Sequence, residues 1–167
     1  VIVVGCDPGY RETALVSFNG ESIVAHVTLP NEAILEALSH HAKGPENVLV
    51  VEQMQLFTSN YGVGQEVFDS VFWSGRFVQA WTPGRWDRIL RAKVRGHLGA
   101  SKGGDAAVRA ALIARFGPYK EVAIGNKKKP GPCFGIAGHE WQALAVAVVW
   151  FDQNGHLPDQ VRPGIPA

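Results

Sequence analysis

The chain has 167 residues, 46% of them hydrophobic and 19% charged, with a formal net charge of +1. That length suits one well-buried domain and is too short for two large ones. No run approaches the roughly 20 apolar residues of a membrane span, and the start lacks the basic segment, apolar core and cleavage site of a secretory signal, so a cytoplasmic, intracellular protein with no membrane partner is expected.

The two cysteines, Cys6 and Cys133, are too few and too poorly spaced for a disulfide scaffold or a zinc ribbon, and read as reduced packing residues. The near-neutral total conceals an asymmetry. Between positions 85 and 129 stand twelve Lys or Arg against three acids, Asp87, Asp105 and Glu121. Such a stretch suits a polyanion, with nucleic acid the leading candidate, although an ordinary solvated face reads the same way.

In chain order, the apolar run VIVVGC predicts a strand buried on both faces, ending at Asp7-Pro8-Gly9. A strand over 13–18 returns, and Asn19-Gly20 turns it into a third over 22–28, making an antiparallel three-stranded meander. Pro30-Asn31 opens a helix to about position 41, with Ile34, Leu35 and Leu38 at core spacing. His40 and His41 at its end read as solvated helix-end residues. After Gly44-Pro45, VLVVEQ predicts a second buried strand ending in Glu52. If the two buried strands are parallel neighbours about 4.8 Å apart, Asp7 and Glu52 emerge together at one sheet edge. Carboxylates that close repel unless a proton or cation lies between them, and a divalent metal is the natural occupant.

Residues 55–64 form a polar loop carrying Phe57 and Tyr61. A long helix follows to Trp81, with Val67, Phe68, Val71, Phe72, Trp73, Phe77 and Val78 making more than one apolar face. It is either buried in the core or paired with a second copy. Positions 86–97 read as a short helix with Arg88, Arg91 and Arg95 on one side. Lys102 and Asp105 open a further helix to Phe116, with Asp105 and Arg109 an i,i+4 pair. A Gly/Pro/Lys loop over 124–138 holds Lys127, Lys128 and Lys129. The last helix, 139–152, begins HEWQALAVAVVW. His139 and Gln142 share its sheet-facing side, and small residues at 143, 145 and 147 allow close approach to the sheet. The domain is expected to end near 153, and 154–167 reads as an irregular tail.

Taken in order, GCDPGYRETALV, VLVVEQ and HEWQALAVAV resemble the RuvC-like Holliday junction resolvases, above all the short phage-type members, over about 2–150. The resemblance implies an α/β, ribonuclease H-like fold with a mixed five-stranded sheet, meander plus parallel strands, and helices on both faces. It also implies a homodimer, here through the 64–81 helix, two Mg²⁺ or Mn²⁺ ions and paired nicks across a four-way DNA junction. It singles out no helicase partner. The family's first two acids fall on Asp7, the bridging ligand, and Glu52, the ligand of the nucleophile-side ion. Its third site is an Asp or His three positions before an Asp that precedes an Ala-Leu-Ala run. Here these are His139 and Gln142, so a neutral amide replaces a charged ligand. Gln142 ligates through its oxygen, or Glu140 replaces it, or the second ion is weak. Asp105 is a further candidate acid. Two ions about 4 Å apart would hold the phosphate, generate hydroxide and stabilise the leaving oxyanion. Lys127, Lys128, Lys129, Lys102, Arg88, Arg91 and Arg95 would track the backbone by counterion release, Phe57 would press into the junction centre, where the family's usual position falls on Gln55, and Tyr61 in the same loop is a further DNA-binding candidate.

Three other readings stand beside this one. The DPG turn also occurs in actin-like ATPases and sugar kinases, which need two such domains. HEWQA lacks the second histidine of HExxH, and GNKKKPG lacks P-loop spacing. A ribonuclease H acting on RNA–DNA hybrids and a non-cleaving junction-binding protein remain open.

Overall fold

The computed structural model describes residues 1–41, 44–54 and 64–155. Five strands, β1 (Ile2–Pro8), β2 (Glu12–Phe18), β3 (Ile23–Pro30), β4 (Asn47–Gln53) and β5 (Arg85–Leu90), form one sheet in the order β3-β2-β1-β4-β5. The helices are α1 (Asn31–His40), α2 (Gln65–Trp81), α3 (Arg91–His97), α4 (Gly104–Phe116), the short α5 (Lys120–Ala123) and α6 (Glu140–Asn154). A small hairpin, β6 (Gly125–Asn126) and β7 (Lys129–Pro130), stands apart from the main sheet.

The meander β1-β2-β3 is antiparallel, whereas β1 pairs with β4 and β4 with β5 in parallel. Strand periodicity sorts the central residues into two cores. Val4, Cys6, Leu49 and Val51 pack on one face with Ile34, Leu38, Phe77 and Trp81 of α1 and α2. Val3, Val48 and Val50 pack on the other with α6 and with Val94, Val108 and Leu112 of α3 and α4. Helix α6 lies against the centre of the sheet, and every residue from Glu140 to Trp150 is buried.

The approach of α6 depends on Gly5. A Cβ there would overlap the Ala143 carbonyl oxygen and come within 2.9 Å of the Ala147 Cβ. Glycine on the strand and alanines on the helix thus set the spacing between the two layers. Cys6 and Cys133 are free and buried, as packing residues should be. Among the described residues no helix is long and apolar enough to cross a membrane.

The region 86–97 departs from the sequence expectation. It is not one helix: β5 runs to Leu90 and α3 begins at Arg91. The reason is that Ile89 is buried while its neighbours are more exposed, the alternation of a half-covered edge strand, and its pairing with β4 outweighs the helical spacing of the arginines. Helix α4 starts at Gly104 and not at Lys102, because Gly103 and Gly104 take positive φ angles of 92° and 62°. The 124–138 loop contains the β6-β7 hairpin. Residues 156–167, most of the expected tail, lie outside the described residues, as do Phe57 and Tyr61.

Gly5→Ala should cost about 3 kcal/mol of unfolding free energy, because neither the α6 backbone nor the sheet can yield without losing core contacts. Urea denaturation of the variant measures it, and unchanged stability would mean that the two layers are not held at this spacing.

Candidate active site

The β1–β4 register runs from Ile2 opposite Asn47 to Cys6 opposite Val51, so the next residues on the two strands are Asp7 and Glu52. Both fall on the strand parity that faces α6. Asp7 is 5% and Glu52 3% exposed. The turn after Asp7 is braced from below: Asn31 Nδ2 donates to the Gly9 carbonyl (3.0 Å), and Thr13 Oγ1 donates to Asn31 Oδ1 (2.7 Å).

Two basic side chains reach the pair. His139, capping the N-terminus of α6, places Nδ1 3.1 Å from Asp7 Oδ2. Arg91, the first residue of α3, donates to Glu52 Oε2 through both Nε (2.9 Å) and Nη2 (2.8 Å), and Nη2 also lies 3.6 Å from Asp7 Oδ1. Both bonds converge on one carboxylate oxygen. Glu52 Oε1 is left buried with no hydrogen-bond partner.

The electrostatics follow from this geometry. Burial, with the nearby Asp7 charge, pushes the Glu52 carboxyl up from 4.5 to about 7, against the downward pull of Arg91. The Asp7 hydrogen bond raises the His139 imidazole above its ordinary value, burial opposing. At Asp7 opens a cleft of about 480 Å³ lined by Asp7, Gly9, Tyr10, Arg11, Glu66, Ser70, Arg91 and His139, among others, while Glu52 lines a neighbouring groove beside α2.

The other expected site residues are distributed differently. Glu140 is buried but turned to β3, where Oε2 meets His26 Nδ1 (2.9 Å) and accepts from the Ala137 amide (3.0 Å), and Oε1 accepts from Thr28 (3.4 Å). It ties the start of α6 to β3 and is not brought to Asp7 and Glu52. Gln142 is buried beside a second recess of about 530 Å³, together with Asp105, Arg109, Trp141 and His139. Its amide makes no hydrogen bond to either carboxylate. Asp105 pairs with Arg95 (2.8 Å) and not with Arg109, whose guanidinium lies 5.2 Å from the Trp141 ring centroid.

The arginines therefore do not share one side. Arg88 is exposed on β5 at a groove beside α2, Arg91 enters the carboxylate pair, and Arg95 is tied to Asp105. Lys102 is exposed ahead of α4, and Lys127, Lys128 and Lys129 are exposed on the β6-β7 hairpin, where Asn126 Oδ1 accepts from the Lys128 and Lys129 amides. Sequence reasoning missed the Thr13–Asn31 brace, the His26–Glu140 contact and the part Arg91 plays. Only the polar first turn of α1, against an otherwise apolar strand end, hinted at the first.

Among solved structures, the chain is similar to Thermus thermophilus RuvC, with 16% identity over 93% of this chain and 97% of that one and a TM-score of 0.58. It is also similar to T. thermophilus RuvC in complex with a Holliday junction substrate, with 16% identity, 92% and 95% coverage and a TM-score of 0.57. The fold is that of RuvC. No protein-family model matches the chain, and none of the curated proteins matches it in sequence.

Within this RuvC fold the donor chemistry fits a hard divalent cation. Two buried carboxylates converge, one of their oxygens lacks a partner, and an imidazole stands beside them. Among the described residues no group of three or more His, Cys, Asp and Glu side chains is gathered closely enough to hold an ion as it stands. Arg91 reaches both carboxylates of the pair.

Stability should carry the imprint of Glu52. The unfolded chain releases this proton near 4.5 and the folded protein near 7, so between those values the native state binds more protons and stability falls as pH rises. Glu52→Gln should flatten that decline, as read by denaturant unfolding at pH 5 and pH 7; an unaltered slope would mean that Glu52 is not the group responsible.

Proposed function

We propose that the protein is a metal-dependent, structure-selective endonuclease that cuts four-way DNA junctions by paired phosphodiester hydrolysis. The observation that carries this reading is the meeting of buried Asp7 and Glu52 at one edge of a RuvC-fold sheet, with His139 bonded to Asp7 and a cleft open at Asp7. Asp7, Glu52 and His139 would hold Mg²⁺ or Mn²⁺, which supplies an activated water and charge neutralisation at the leaving oxygen. The protein groups do the rest. The Thr13–Asn31 brace fixes the turn that aims Asp7, and burial keeps both carboxylates from dispersing their charge into solvent. Arg11 and Arg91 on the cleft wall attract a phosphate, while the lysine hairpin holds a strand farther out without reading its sequence.

A junction offers two equivalent strands, and a two-fold dimer would present one site to each. Helix α2 supports such an assembly. It buries Ser70, Phe77 and Trp81 but leaves Phe68, Val71 and Phe72 at 55–62% exposure, with Arg76 over the Trp73 ring at 4.5 Å. An apolar row of this kind on a helix is a candidate interface with a second copy.

The weakened, junction-binding alternative also has an observation in its favour: Gln142 faces the second recess and Glu140 is held by His26. Neither adds a charged donor to the pair.

Cleavage of a four-way junction, a linear duplex and an RNA–DNA hybrid, with and without Mg²⁺, tests the reading. Nicks confined to the junction and dependent on Mg²⁺ are expected, with Asp7→Asn and Glu52→Gln abolishing cleavage but retaining junction binding. Preferential cutting of the hybrid would instead favour a ribonuclease H, and binding without cleavage a non-catalytic junction protein.

A further inference from the structure

Two buried carboxylates cannot stand together uncompensated, and the described residues supply a compensating charge from an unexpected direction. Strand β5 pairs Ile89 with Glu52 and Leu90 with Gln53, so the residue that follows, Arg91, leaves the sheet beside the acid pair. Its guanidinium does not make the two-oxygen fork that Arg and a carboxylate prefer. Both donors take Oε2, Oε1 is left bare, and the remaining approach is to Asp7 at 3.6 Å. The guanidinium thus lies between the two carboxylates, where a cation shared by them would also have to sit. Arg95, one turn on, is tied instead to the exposed Asp105 and has no such position. The Arg91 side chain keeps 34% of its surface open to solvent, on the wall of the cleft.

We propose that Arg91 is an exchangeable counter-ion. It occupies the cation's place in the metal-free protein, is displaced from Glu52 when a divalent ion binds, and then contacts a phosphate oxygen of the DNA strand in the cleft. This inference rests on the nuclease reading above and adds a substrate-contacting residue to it. Guanidinium and ion compete for the same space between the two carboxylates and carry like charge, so they cannot both occupy it. No bond is made or broken covalently; one charge-assisted contact replaces another.

Mn²⁺ binding to the full chain, followed by calorimetry, tests the exchange. Arg91→Gln should bind Mn²⁺ about tenfold or more tightly than wild type, because a charge-assisted hydrogen bond no longer has to be surrendered. It should also melt at a lower temperature than wild type in EDTA, with the gap closing at saturating Mn²⁺. Arg91→Lys keeps the charge but loses the converging pair of donors, and should bind the ion with intermediate affinity even if the glutamine variant does not fold. Equal or weaker Mn²⁺ binding by these variants overturns the proposal.

Asp7→Asn separates the two levels of the argument. If Mn²⁺ uptake depends on Asp7 but ignores Arg91, the inference alone fails; if no Asp7-dependent uptake occurs in any variant, the nuclease reading falls and the inference with it. Gel shifts of a four-way junction supply the second arm. In Ca²⁺ the Arg91→Gln variant should bind more weakly than wild type, and in EDTA equally well. An equal loss in both, or no loss in Ca²⁺, overturns the hand-over to phosphate.

Discussion

The parallel pairing of β1 with β4 is the constraint from which the site follows. Its register sets Cys6 opposite Val51, and one step further along both strands the chain changes from apolar to acidic. A slip of one residue would turn the side chains of one strand to the other face, sending Asp7 or Glu52 into the core beneath α1 and α2. The apolar residues that precede the acids prevent this, since Val4, Cys6, Leu49 and Val51 fill one core and Val3, Val48 and Val50 the other. Packing thus specifies where two charges meet, although the charges themselves oppose the meeting.

The same packing brings the third group. Gly5 and the alanines at 143 and 147 let α6 lie close on the sheet, and its first turn then stands over the strand ends. His139 reaches Asp7, and Glu140, one residue on, is drawn to His26 on the edge strand. Two neighbouring residues in sequence therefore serve different ends: one faces the carboxylate pair, and the other ties the start of α6 to β3.

Much of this was legible in the chain itself. Asp7 and Glu52 each end an unbroken apolar run, and a run buried on both faces has few positions available in a small α/β domain. The closing helix announced itself by its alanines and valines. What stayed hidden depended on partners distant in sequence. Residues 86–90 read as helix because their charges mask an edge strand that only β4 can define. Arg91 looked like one more member of a basic row, yet its position is fixed by the end of that strand. The Asp105–Arg109 spacing suited a local pair, but Arg95 from the preceding helix supplies the nearer partner and Arg109 lies over Trp141 instead. Local propensity weighs such choices by tenths of a kcal/mol, less than tertiary contacts can supply.

The account stands or falls on whether the Asp7–Glu52 pair is a seat for a divalent cation. Anomalous diffraction from crystals soaked in Mn²⁺ addresses this without reference to activity. The account predicts a peak between the two carboxylates, within bonding distance of Glu52 Oε1 and with the Arg91 guanidinium withdrawn. A fully soaked crystal with no peak there, and Arg91 still bonded to Glu52, would contradict it.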